Sequence, residues 1–174
     1  MSLYLLDVPY YSQRDNTVDP GITCNPSSCC MVAEFIQPGS FGGSDDEYIR
    51  QLYRGYGKAV EHDSHTRLLV DSGFKTEFRY DLDYSDLNAS LFDRKLPVVI
   101  GVMHRGYYKT PTGSHMMVIV GHDSHTGEYI GHDPWGQSFH YSNEDGSNVR
   151  LPLKSLNPRW LCEGDNSGWG RLFF

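Results

Sequence analysis

The sequence predicts an α+β architecture, with N-terminal helices packed on a C-terminal antiparallel β-sheet. Between residues 24 and 92, apolar residues recur at helical spacing behind helix-starting residues. From residue 96 onward, short apolar or alternating runs are separated by glycine and polar turns. Helices first and antiparallel strands after is the α+β order. The chain of 174 residues is long enough for a full core of its own, so one domain over 1–174 is expected.

Residues 5–11 read as a short extended entry, since Val8 precedes Pro9. A polar loop containing Gln13 follows, and Asp19-Pro20-Gly21 signals a turn into Cys24. A first helix is expected over residues 26–37. Asn25 would be its cap, Pro26 its first residue, and Cys29, Val32, Ala33 and Ile36 its apolar face. Ser44-Asp45-Asp46-Glu47 has capping-box form and predicts a second helix over 45–54. A third helix is expected over 64–71, closed by Gly73, then a strand over 74–80 and a fourth helix over 85–92. Strands are expected over 96–103, 115–121, 128–131 and 137–141. A polar turn over 143–148 precedes a short helix over 151–160 and a closing strand over 168–174.

Composition narrows the function classes. Hydrophobic content of 39% and charged content of 21% describe a globular chain, not a disordered one. The net charge of −7 is the wrong sign for a general nucleic-acid or anionic-membrane binder, so no nucleic-acid partner is expected. No apolar run approaches the ~20 residues of a membrane span. The first residues lack a basic region and a long apolar segment, so no signal peptide and a cytoplasmic site of synthesis are expected. Cysteines at 24, 29, 30 and 162 form no metal pattern and read as reduced thiols.

Cys24 stands at a helix N-terminus, where the macrodipole and unpaired backbone N–H groups favour thiolate. A small buried thiol is the alternative. Cys29 and Cys30 lie inside the helix and are weaker candidates. A thiol nucleophile needs a base, a group to orient that base, and donors for an oxyanion. His115 opens a buried apolar strand directly after Gly113-Ser114. The next strand returns around a turn centred near residue 125, which sets His115 opposite residues 133–135 and so beside Asp133. A carboxylate there can accept the second imidazole N–H; otherwise Asp133-Pro134 is an ordinary turn at the hairpin base. Gln13 can donate to an oxyanion together with the Cys24 N–H, or can be a polar loop residue.

The order of Gln13, Cys24-Asn25-Pro26-Ser27-Ser28, Gly113-Ser114-His115 through Gly121, and Asp133-Pro134-Trp135-Gly136 resembles the papain-like cysteine peptidases. Among these it is most similar to the double-glycine, bacteriocin-processing peptidase-like group. The resemblance runs from about residue 8 to 136, with a looser match near Trp160 and Gly168-Trp169. It implies a papain-like fold with Cys24 as nucleophile, His115 as base and acid, Asp133 as orienter and Gln13 in the oxyanion hole. Asn25 stands where that group has glycine, and the loop from Gln13 to Cys24 is longer than usual.

The resulting expectation is a thiol hydrolase acting on peptide or isopeptide bonds through a Cys-His-Asp triad, without cofactor or metal. Trp135, Ser114 and Asn25 are assigned to substrate binding, although Trp135 can equally plug the core under the hairpin. Within the resemblance, a chain with no membrane span fits a phage-type lysin that cuts peptidoglycan peptides and acts on the cell wall after release. The alternatives are an intracellular protein-processing cysteine protease, a non-catalytic papain-like binding module, and an acyl transferase that uses an amine instead of water. A zinc site drawn from His62, His65, Asp63, His122, His125 or His132 competes with solvated histidines.

Overall fold

A computed structural model describes residues 3–107, 110–140, 142 and 144–174. In chain order the elements are β1 (Leu3–Leu5), α1 (Cys24–Ile36), α2 (Asp45–Gly55), α3 (His62–Asp71), β2 (Thr76–Leu82), α4 (Tyr84–Asn88), β3 (Val98–Tyr107), β4 (Thr110–Asp123), β5 (Glu128–His132), β6 (Val149–Leu151), α5 (Leu153–Trp160) and β7 (Gly168–Phe173). The strands form one sheet in the order β2-β7-β3-β4-β5-β6, and β1 pairs with the far end of β4. Every pairing is antiparallel.

The central strands bury both faces, which is why β3 reads as an unbroken apolar run and not as an alternating one. On one face Val99, Val118 and Val120 pack with Cys29, Met31 and Val32 of α1, Tyr48 and Leu52 of α2, and Leu68 and Leu69 of α3. On the other face Val98, Ile100, Val102, Met117 and Ile119 pack with Leu87, Leu91, Leu156 and Trp160. This second face is covered by α4 and α5.

Several local expectations are corrected. The first helix begins two residues early, at Cys24, with Thr23 as N-cap residue and Asn25 and Pro26 inside the first turn. Asn25 does not cap, because its amide bonds to His62 and Cys29. Ser44 makes no side-chain cap and the capping box of the second helix does not form, because Glu47 turns outward to Arg50 and Gln51. The third helix begins at His62, not Ser64. The fourth helix changes after Asn88 into a π-helical turn over Ala89–Arg94, closed by Lys95 at φ 59°. Residues 137–140 form no strand. Gln137 and Ser142 make one isolated bridge around a 3-10 turn, Ser138–His140, and Tyr141 lies outside the described residues. The polar turn over 143–148 gives way to β6 at Val149, and Asn143 too is outside the described residues. Strand β7 lies inside the sheet between β2 and β3, although it comes last in sequence.

Candidate active site

The α1 N-terminus, β4 and the segment after β5 meet at one end of the sheet. Here a cleft of about 340 Å³ is lined by Cys24, His115, Gln13, Asn25, His62 and Trp135, among others. The β4–β5 hairpin positions the central pair. It turns at residues 124–127, and Val118 lies opposite His132. The chain then leaves the sheet so that His115 Nε2 meets Asp133 Oδ1 at 2.7 Å. Both side chains are buried, at 4% and 1% exposure. Because Nε2 is engaged by Asp133, Nδ1 is the ring nitrogen left for the Cys24 thiol, with which His115 is hydrogen bonded.

The Asp133 carboxylate has further donors: Trp135 N–H at 3.0 Å to Oδ1 and Ser138 N–H at 2.8 Å to Oδ2. Its backbone is held as firmly. The Asp133 N–H donates to Gly146 O, and its carbonyl accepts from the Tyr10 hydroxyl, both at 2.8 Å. Position 146 admits only glycine: a Cβ would lie 2.0 Å from Asp133 O and 2.6 Å from Gly136 O. The neighbouring His132 is a scaffold residue, with Nε2 donating to Val8 O and Nδ1 accepting from Asn148 N–H.

Electrostatics follow from this packing. Burial disfavours the Cys24 thiolate, but the His115 hydrogen bond and charge, with the Met116 and Asn25 backbone, bring its pKa below the ordinary thiol value. Burial likewise opposes the charged His115 ring, and the Asp133 carboxylate and Cys24 overcome it, raising the imidazole to about 10. Asp133 stays below the usual carboxylate range: burial pushes it up, but the bonds from His115 and Ser138 outweigh that. The group therefore favours a thiolate–imidazolium pair at neutral pH. Burial pushes the thiols of Cys29 and Cys30 the other way, well up, and that of exposed Cys162 also up.

Gln13 sits in a 3-10 turn, Gln13–Asp15, and is 2% exposed. The longer loop to Cys24 does not separate the two, because both line the cleft. The Gln13 N–H donates to Pro134 O at 2.9 Å, fastening this turn to the segment that carries Asp133. Its Nε2 gives one hydrogen to Pro20 O at 2.9 Å and has a second to offer. Its buried Oε1 has no partner among the described residues. The Cys24 N–H, at the first helical position, has no carbonyl four residues back within the helix. Trp135 and exposed Ser114 line the cleft, and Trp135 is half-buried there. The Asn25 amide lines it too, with its polar atoms turned to His62 and Cys29.

Sequence reasoning missed much of the remaining lining, on the helix side and on β7 of the sheet. Ile22, Val60, His62 and Trp169 line the same cleft. Trp169 lies over Gly101, where a Cβ would stand 1.6 Å from its Nε1, so the glycine of β3 makes room for the indole. Val60 and Ile22, exposed at 63% and 51%, form an apolar rim. The histidines proposed for zinc do not gather: among the described residues no three His, Cys, Asp or Glu side chains converge. His65 is buried, donating through Nε2 to Ala59 O and accepting at Nδ1 from the Tyr48 hydroxyl, both at 2.8 Å.

The Peptidase_C39 like family matches residues 5–156. No curated protein matches the chain significantly. Of solved structures, one described as a C39-like peptidase from Bacillus anthracis is 14% identical, with a TM-score of 0.69, covering 100% of this chain and 98% of that one. The peptidase domain of Streptococcus ComA, a bifunctional ABC transporter of a quorum-sensing pathway, is 18% identical, with a TM-score of 0.55 over 91% of this chain and 94% of that one. A chain from work on the mite allergens Blo t 1 and Der p 1 is 13% identical, with a TM-score of 0.59 over 99% of this chain and 70% of that one. At these identities the likeness establishes an α+β, papain-like fold. Among the described residues, no helix is long and apolar enough to cross a membrane.

Proposed function

Because the chain belongs to the Peptidase_C39 like family and is thus a cysteine-type peptidase, we propose that it cuts peptide or isopeptide bonds with Cys24, His115, Asp133 and Gln13. The thiolate of Cys24 attacks the carbonyl carbon, and the oxyanion takes the Cys24 N–H and the second Nε2 hydrogen of Gln13. The tetrahedral species collapses as the C–N bond breaks and imidazolium His115 gives its proton to the leaving amine. Neutral His115 then takes a proton from water, whose hydroxide displaces the thiolate and releases the acid. Asp133 holds the imidazole and stabilises its charged form throughout.

The observation that carries this reading is the buried His115, hydrogen bonded to Cys24 on one side and to a fully satisfied Asp133 on the other. Iodoacetamide at pH 6.5 is expected to label Cys24 far faster than Cys29, Cys30 or Cys162. Equal labelling sinks the assignment.

For the substrate, the described residues that line the cleft include no Asp, Glu, Lys or Arg. This favours an uncharged polypeptide segment, the protein-processing reading. The phage-type lysin reading, with peptidoglycan peptides as substrate, is supported by the resemblance alone. Denatured casein should be cut by the native protein and left intact by Cys24→Ala. New amino groups released from purified peptidoglycan, with casein untouched, would reinstate the lysin. Transfer to an added amine in preference to water would mark an acyl transferase.

A further inference from the structure

His62, the first residue of α3, lines the same cleft as His115, yet the chemistry above makes no use of it. Its ring is held in place. It stacks on Phe78 with centroids 3.7 Å apart at 14°, and Tyr80 meets its edge. Its carbonyl accepts from the Arg171 guanidinium at 2.9 Å.

The protonation state follows from a chain of hydrogen bonds. The buried Cys29 thiol, kept protonated by burial, donates to Asn25 Oδ1 at 3.4 Å. That directs Asn25 Nδ2 toward His62 Nδ1, at 3.3 Å. An amide nitrogen only donates, so Nδ1 must accept and the ring proton must sit on Nε2. Nε2 has no partner among the described residues. Burial, with Arg171 nearby, lowers this imidazole to about 4, so the ring is neutral wherever the thiolate operates.

We propose that His62 is a substrate-binding residue whose Nε2–H, oriented through Asn25, donates to a backbone carbonyl of the bound peptide. A neutral, fixed donor suits a carbonyl, because it holds the oxygen without placing a second charge beside the thiolate–imidazolium pair. The leaving amine departs toward His115 on the sheet wall. The chain that remains as the acyl group runs along the opposite wall, and the carbonyl His62 meets belongs to that acyl part. Val60 and Ile22 line the same cleft and cover the side chains of this segment. The residue at position 25 thus takes on work that glycine there could not do: it sets the tautomer of the wall opposite the base. This inference rests on Cys24 as nucleophile, and the test keeps the two apart.

The test compares two inactivators. Iodoacetamide reads the thiolate alone. A peptidyl chloromethyl ketone, built on the residues N-terminal to the casein bond cut fastest, reads the thiolate together with peptide binding. His62→Phe keeps the stack on Phe78 and removes the N–H. It should slow inactivation by the peptidyl reagent about tenfold, the loss of one hydrogen bond, and leave the iodoacetamide rate and its pH profile unchanged. His62→Gln should recover part of the loss by restoring a donor, and Asn25→Ala, which frees the ring, should lose part of it. A peptidyl rate in His62→Phe within twofold of the native protein overturns the proposal. So does an equal fall with both reagents, which would mean that His62 acts on the thiol. A native protein whose Cys24 is no more reactive than its other thiols overturns the nucleophile assignment instead, and is read without the peptidyl reagent.

Discussion

The two walls of the cleft hold histidines in opposite states. On the sheet side His115 is buried and raised to about 10; on the helix side His62, which lines the cleft, and His65, buried in the same helix, are lowered to about 4 and about 3. Burial acts in the same direction on all three, disfavouring the charged ring. The sign is decided by what faces each one. His115 has the Asp133 carboxylate at 2.7 Å and the Cys24 thiol, whereas the helix wall has the Arg171 guanidinium, fully buried and bonded to Thr66, Thr76 and the His62 carbonyl. One wall is built to hold a proton and the other to stay neutral. In this way a cleft lined by His115 and His62 carries its charge on His115.

The strongest way to break the contrast is His115→Ala. Loss of the base and of the cation that holds the thiolate should lower kcat on casein by about 10⁴-fold and sharply slow iodoacetamide labelling of Cys24 at pH 6.5. Acid should expose the other wall. His65 has a folded value near 3 and an unfolded value near 6.5, so its contribution is fully present above 6.5 and is lost as pH falls and the unfolded chain takes up the proton. Urea unfolding should show a loss of about 3 kcal/mol between pH 6.5 and pH 4 from this group. His65→Gln, which can keep both hydrogen bonds, should flatten that slope.

Removing the charge from the sheet wall is a smaller change. Asp133→Asn should lower kcat about 10²-fold. It should also shift the pH profile: activity requires pH above the depressed Cys24 value and below the raised His115 value, and without the carboxylate the alkaline limb moves down from about 10. Gly101→Ala should displace Trp169 from its place in the cleft, destabilise by about 1–3 kcal/mol and raise KM more than it lowers kcat. The smallest effect should come from Arg171→Met. With the guanidinium gone, His62 and His65 should titrate closer to the ordinary histidine value, read by NMR of the ring protons.

The sheet wall was legible in the sequence and the helix wall was not. His115 and Asp133 belong to one hairpin, and the centre of its turn sets which residues oppose each other. The strand period of two and the polar turn at Asp123 carried that information locally. Helix boundaries depart from local preference where another residue recruits the side chain. Asn25 is a good cap by itself, but its amide is taken by His62, 37 residues on. Ser44 and Glu47 have capping-box form, but Glu47 pairs with Arg50.

The sequence alone determined the α+β elements, the hairpin that joins His115 to Asp133, and the thiol at a helix start. All of these are set by short-range periodicity, turn chemistry and the helix dipole. Only the tertiary structure decided that β7 inserts between β2 and β3, that Arg171 lies buried under His62, and that Trp169 and Val60 complete the cleft. Such contacts join residues far apart in the chain, as Val99 and Arg171 or Arg171 and His62 are. They form because burying both faces of the sheet leaves few arrangements that also satisfy the buried polar groups.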